Sequence, residues 1–417
     1  MNQYNYQNKH LYLESVAIAD IAQQVPTPFY VYSQNTIEDN FKQYQENLTA
    51  VDALICFALK ANSNQAIIKI LADLGAGADV VSVGELRRAL KAGIPANKIV
   101  YSGVAKTRTD ISFALEANIL QFNVESTNEL ALINEVALEQ DVKARIAFRI
   151  NPDVDARTHE KISTGKAENK FGIPITIAPE IYSQAAAMKG IQIQGVDMHI
   201  GSQLTQLEPF EQAFELLYNL VSKLLADGHP ISYIDLGGGL GVDYAHDKSP
   251  PSIADYCDKI NTLLADWDGR VIIEPGRSIV AESGLLISSV IYIKQGQTHQ
   301  FCILDAAMND LLRPSMYGAH HMIVPVTEKT SQQTYDVVGP VCETGDTFAR
   351  NYQMATVEEG DLVAFTYTGA YGAVMSSNYN SRLTAPEVLV RNDEFYTIKP
   401  RLDYEQLIGL DQTAPWQ

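Results

Sequence analysis

The stretch YIDLGGGLGV, Tyr233–Val242, is where two possible folds diverge. A short apolar run that ends in a glycine-rich turn resembles the opening of a doubly wound sheet, which shows GxGxxG after an early strand. Here Val242 stands at the sixth position, and the turn follows the seventh apolar run of its kind rather than the first. The six before it are ALICFAL (53–59), ADVVS (78–82), KIVYSG (98–103), ILQFNV (119–124), ARIAFRI (144–150) and IQGVDMHI (193–200), and RVIIEPG (270–276) is the eighth. Near-continuous apolarity marks strands buried on both faces, as in parallel sheets. Between them, QAIIKILADLG, GELRRALKAG and NELALINEVALEQ carry apolar residues at helical spacing, the first two closing on glycine. Eight strand-then-helix units is the arithmetic of a (β/α)8 TIM-type barrel.

After residue 285 the pattern changes. SSVIYIKQ, QFCILDA, YDVVG, DLVAFTYTG, EVLVR and EFYTIK are β-rich runs joined by polar turns, which predicts an all-β domain. The N-terminal HLYLESVAI and TPFYVYS resemble neither barrel helices nor a tail, and are expected to add strands to it. The expected organisation is α/β plus all-β, with a barrel over 30–282 and a β-sandwich or β-barrel domain from 1–29 and 283–417. With 50 acids against 31 bases, the formal charge of −19 argues against a nucleic acid or an anionic membrane as main partner. The N-terminus lacks the pattern of a secretory signal, and no apolar run approaches membrane-spanning length, so a soluble, cytoplasmic protein is expected. Cys56, Cys257, Cys302 and Cys342 form no CxxC pair, so neither a disulfide framework nor a metal site is expected.

In a barrel the C-terminal ends of the strands face the active site. Lys60 ends the first run. It is either a solvated lysine or, at a mouth with low-dielectric walls, an amine able to lose its proton and act as a nucleophile. Asp79 and Ser82 end the second run, and Arg149 and Asn151 the fifth; each could simply cap a helix or join an ion pair. His199 in HIGSQ could be a satisfied core group, a stacking ring or, least of all, a metal ligand, since no second histidine lies at ligand spacing. Gly237, Gly238 and Gly239 satisfy more than a tight turn needs, and form a cradle whose N–H groups a phosphate could approach. Glu274, Pro275, Gly276 and Arg277 follow the eighth run and add a carboxylate and a guanidinium. A lysine, a phosphate cradle and a deep acid together describe a pyridoxal phosphate site, in which the acid keeps the pyridine nitrogen protonated.

The blocks FALKANSN, ARTHEKISTGKAENKFGI, HIGSQ, DLGGGLG, EPGR, AAMNDLLRPSMYGAHH, GPVCETGD and GAYGAVMSSNYNSR resemble, in order and over nearly the whole chain, the diaminopimelate decarboxylase family. These are pyridoxal 5'-phosphate enzymes of fold type III, with an alanine-racemase-like barrel and a β-domain. The resemblance implies that Lys60 carries the cofactor, that His199 stacks on its ring, and that Glu274 pairs with the ring nitrogen. Ser202, the Gly237 to Gly239 turn and Pro275-Gly276-Arg277 would bind the phosphate side. Arg277, Arg313, Tyr317, Glu343 and Tyr371 would surround the substrate, Tyr371 also touching the cofactor, and Cys342 would donate a proton.

The implied reaction is decarboxylation of meso-2,6-diaminopimelate at its D-centre to L-lysine and CO2. It would run in a homodimer whose CETGD loop crosses to the neighbouring site. The chemistry of the substrate agrees, because its distal carboxylate calls for the fork of an arginine and its distal ammonium for an acid. Alternatives on the same fold are a decarboxylase of carboxynorspermidine, ornithine or a D-amino acid, a racemase, or a non-catalytic pyridoxal phosphate-binding protein. The neighbours of Cys342 are the acids Glu343 and Asp346 rather than the bases that a nucleophilic thiol wants.

Overall fold

The eight apolar runs become eight strands: β1 (Asp52–Ala58), β2 (Gly77–Val80), β3 (Ile99–Tyr101), β4 (Gln121–Val124), β5 (Ala144–Asn151), β6 (Ile191–Met198), β7 (Tyr233–Asp235) and β8 (Arg270–Ile273). The computed structural model describes residues 4–156, 158–162, 164–165, 169–245 and 250–417. Of the ARTHEKISTGKAENKFGI block, residues 157, 163 and 166–168 therefore lie outside the described residues. Each barrel strand pairs in parallel with the next, β4 joins β5, and β8 returns to β1, so the sheet closes on itself. A closed barrel has no edge to protect. Its strands are buried on both faces, β5 and β6 having all but one residue buried. That burial is why their sequences do not alternate.

Leu54, Cys56, Val100, Leu120 and Ile272 form one apolar cluster of the barrel. Full burial of such aliphatic side chains contributes about 1.5–3 kcal/mol each. The expected helices run over Gln65–Asp73, Val83–Ala92 and Thr127–Glu139. Ser82 and Ser126 cap two of them, each hydroxyl accepting an amide N–H at 3.2 Å from the third helical residue. Such a cap contributes about 1 kcal/mol. For Ser82, the capping role is thus the observed one.

The second compact unit comprises Met1–Ile37, Tyr244–Asp247 and Val280–Gln417; the barrel unit comprises Glu38–Asp243 and Lys248–Ile279. The N-terminal segment joins the β-domain, as its composition suggests. Phe29–Ser33 pairs antiparallel with the long strand Gly284–Gln295 and parallel with Glu387–Arg391. Residues 30–37, which the expected boundary at 30 placed with the barrel, therefore sit with this sheet. Three strands of this unit carry no clear mark in the sequence, among them Tyr4–Gln7, whose alternating YNYQ holds only two aromatic positions. Ile323–Pro325 is only three residues long, and Thr347–Ala355 (TFARNYQMA) is largely solvent-facing, with too few apolar positions to mark a strand. Leu11, Ile18, Phe29, Val31, Leu285, Ile287, Val388 and Val390 belong to the core of this unit. Among the described residues, no helix is long and apolar enough to cross a membrane.

Candidate active site

Lys60 lies just past β1, on a single 3-10 turn. Its Nζ donates to Asp79 Oδ2 at 2.7 Å, and Asp79, on β2, is fully buried. A lysine merely solvated at a strand end would not have a desolvated carboxylate waiting for it. His199 follows β6, and its Nδ1 accepts the Gly238 N–H at 3.1 Å, so this nitrogen carries no proton. Burial first, then the charges of Arg149 and Lys60, hold the ring well below the usual histidine range. His199 is thus a neutral, flat ring fixed in one tautomer. Arg149 pairs with Glu125 at 3.2 Å, the ion-pair role expected of it, whereas Asn151 Oδ1 accepts the N–H of Asp153 two residues on, a local backbone contact.

The glycine turn is built as a cradle. Gly237 and Gly239 have φ of +64° and +119°, backbone that side chains oppose. Gly238 approaches the Glu274 carbonyl so closely that a Cβ there would meet the oxygen at 2.2 Å. The Glu274 N–H donates to the Gly237 oxygen at 2.7 Å, tying this turn to the EPGR turn. Arg277, buried at the start of a short helix, donates from Nη2 to Ser202 Oγ at 3.0 Å. Among the described residues the N–H groups of Gly239 and Gly276 meet no acceptor. Two amides and a guanidinium around a side-chain-free turn suit an anion.

Beside this cradle Glu274 is joined by two acids that the sequence did not mark, Asp197 and Asp235. Asp197 on β6, Asp235 on β7 and Glu274 bring carboxylate oxygens within 4.8 Å of one another, all buried. Asn123 on β4 donates from Nδ2 to both Asp235 and Glu274 at 3.3 Å. Burial, then Asp235, Asp79 and Asp197, push Glu274 well above the ordinary carboxylate range, while Lys60 opposes them. Asp197 is raised too, by burial and Asp235. So many acids cannot all ionise in one desolvated place, and they share protons instead. The signal was an acid inside a doubly buried strand, as in GVDM and YID, which is costly unless used.

Asp235 is raised to about 7, by burial first and then by the Asp79 charge, with the Gly237 N–H, Asn123 and Glu274 opposing. An acid raised on folding contributes stability that is complete below its unfolded value near 3.8 and is lost as pH rises through about 7. Asp235→Asn is expected to flatten that decline in the cofactor-free protein, as read by urea denaturation across this window. An unchanged pH slope would show that Asp235 is not its source.

The remaining expected residues belong to the β-domain. Arg313 and Tyr317 begin and end one short helix, Arg313 buried and Tyr317 partly exposed. Tyr371 holds φ of +55°, a strained conformation for a tyrosine, in a turn where Gly369 packs against the Val280 carbonyl. Cys342 and Glu343 are exposed, and Cys342 is the one free cysteine among the four that is not buried. Its N–H reaches Asn380 Oδ1 at 3.4 Å. Asp346, which the sequence set beside the thiol as a charge, turns inward and accepts the Val341 N–H at 2.7 Å and the Met308 N–H at 2.6 Å.

Residues 34–281 match the family model described as "Pyridoxal-dependent decarboxylase, pyridoxal binding domain", which gives the class: a pyridoxal-dependent decarboxylase on a TIM barrel. Diaminopimelate decarboxylase of Zymomonas mobilis subsp. mobilis is 46% identical over 417 residues, 99% of each chain. The crystal structure of diaminopimelate decarboxylase from Helicobacter pylori complexed with L-lysine is 44% identical, covers 94% of this chain and 98% of its own, and superposes with a TM-score of 0.91. That from M. jannaschii in co-complex with L-lysine is 38% identical, with coverage of 100% and 99% and a TM-score of 0.95. The chain belongs to the diaminopimelate decarboxylase family.

Proposed function

We propose that this chain uses pyridoxal 5'-phosphate to decarboxylate meso-2,6-diaminopimelate at its D-centre, releasing L-lysine and CO2. The observation that carries the reading is the barrel-mouth set, with Lys60 2.7 Å from buried Asp79 beside the glycine cradle and raised Glu274. These residues fit the cofactor on their own chemistry: an amine, an anion cradle, a flat neutral ring, and buried acids short of a cation. When bound, the cofactor ring supplies the electron sink for the pair that CO2 leaves behind.

The chain's own residues do the rest. Lys60 holds the cofactor, and Asp79 takes and returns the proton of its Nζ. The glycine turn, Ser202, Gly276 and Arg277 hold the phosphate, with Pro275 shaping the turn. His199 supports the ring face, and Glu274 holds the proton at the ring nitrogen. Arg313 and Arg277 receive the distal carboxylate, Glu343 the distal ammonium, and Tyr317 and Tyr371 close around the substrate. Cys342 returns a proton from Sγ to the α-carbon. Four free cysteines fit the reducing cytoplasm expected from the sequence. Purified holoenzyme given meso-diaminopimelate should release equimolar CO2 and L-lysine; gas from carboxynorspermidine or ornithine alone would move the assignment to those substrates.

In this reading the enzyme is a homodimer in which the Val341–Asp346 loop completes the neighbouring site. The exposure of Cys342 and Glu343 in the single chain supports it. Lys60→Ala and Cys342→Ala variants, each nearly inactive, should regain up to about a quarter of wild-type activity when unfolded together and refolded as mixed dimers. No recovery, with dimers demonstrably mixed, would place both residues in one chain's site.

A further inference from the structure

Arg313 is buried although it opens a helix of only five residues, and a buried guanidinium needs acceptors placed for it. Its Nη1 lies 2.7 Å from His321 Nε2, and its guanidinium carbon lies 4.2 Å from the centre of the Tyr244 ring. His321 is itself buried, and its Nδ1 lies 2.8 Å from the Thr366 carbonyl oxygen. A carbonyl can only accept, so Nδ1 carries the proton, and Nε2 is left with the lone pair that receives the arginine N–H. Tyr244 also meets His321 edge to face, with ring centres 5.0 Å apart. The backbone of Thr366 thus sets the imidazole, and the imidazole and the phenol ring together set the plane of the guanidinium. These two partners are neutral, and each orients the cation without itself cancelling its charge, which a carboxylate in its place would do.

We propose that His321, backed by Tyr244, is the positioning residue that aims the Arg313 fork at the carboxylate on the non-reacting end of the substrate, and so sets the preference for a substrate with two carboxylates. This rests on the role given to Arg313 above. A guanidinium that must be oriented on binding loses affinity for the planar carboxylate, and the loss falls on the substrate contact rather than on the chemical step.

The test is steady-state kinetics of the holoenzyme as wild type, His321→Ala, His321→Gln, Arg313→Ala and the double alanine variant. D-lysine serves as a competing ligand, because it has the same reacting centre and distal amine but no distal carboxylate. His321→Ala is expected to raise KM for meso-diaminopimelate roughly tenfold or more, with kcat within about threefold of wild type. The inhibition constant of D-lysine should stay within about twofold, because the lost contact is one that it never makes. His321→Gln, whose amide oxygen can accept the arginine N–H, should restore most of the KM. In the double variant the effects should not add. A merely structural role would lower the active fraction and move both ligands alike. If Arg313→Ala raises KM while His321→Ala does not, or if D-lysine weakens equally, the inference is overturned. If Arg313→Ala leaves KM unchanged, the role of Arg313 itself falls and the inference with it. Should His321→Ala not fold, His321→Asn carries the same comparison, since its shorter side chain can reach Thr366 but not Arg313.

Discussion

Lys60→Ala is expected to abolish turnover, by about 10⁴-fold or more, in a protein that still folds. The size follows from what the residue is: a single amine at the end of β1, for which the surrounding residues offer no substitute. Asp79 is an acid and has no nitrogen with which to condense with a carbonyl carbon. Two effects must be separated, because removing the ammonium also strips buried Asp79 of its ion-pair partner. Lys60→Arg separates them. Arginine can keep the charge beside Asp79 yet is too weak a nucleophile, since it stays protonated. It should be as inactive as alanine but unfold at a higher temperature. CO2 release and thermal unfolding measured side by side decide the point, and alanine turnover near wild type would exclude Lys60 as the cofactor's anchor.

The second large effect is expected at Glu274. Glu274→Gln preserves shape and can still accept from Asn123, but it removes the ionisable carboxyl of the residue whose backbone N–H is tied to the Gly237 carbonyl. A loss of about 10²–10³-fold in kcat, with KM little changed, is the expected result, comparable to removing one preorganised electrostatic contact. The acids around Glu274 explain why a neutral amide cannot stand in. Asp79, Asp197 and Asp235 oppose the ionisation of Glu274, so a cation beside it would be stabilised, and Glu274 is where that cation's proton would be held. An equal loss in kcat and in cofactor affinity would show a role in binding the cofactor rather than in the reaction.

Most of the barrel was legible because its strands are buried on both faces, which writes unbroken apolar runs into the chain. Lys60, His199, the glycine turn and Glu274 were legible because they stand at the C-terminal ends of those runs, just past the strands themselves. Asp197 and Asp235 were not, because they lie within the runs, where a single acid among apolar neighbours reads as noise. His321 lay in plain view in YGAHH, yet its importance comes from Thr366 and Arg313, separated from it by 45 and 8 positions. No local pattern records such a contact. Thr347–Ala355 failed for the opposite reason, since pairing alone makes it a strand.

The loop carrying Cys342 and Glu343 has a further consequence. Asp346 grips it from behind through the Val341 and Met308 amides, Gly339 is packed so tightly that a Cβ would meet the Asp346 carboxylate at 2.4 Å, and Thr347 Oγ1 accepts no slack, donating to the Thr344 carbonyl. Its outward side chains are therefore mounted on backbone already frozen. Ordering a loose loop on association costs roughly 1–2 kcal/mol of conformational entropy per residue, and a segment built this way has met that cost during folding. A surface that received Cys342 and Glu343, as the proposed dimer requires, could then be small and polar and still hold them in register.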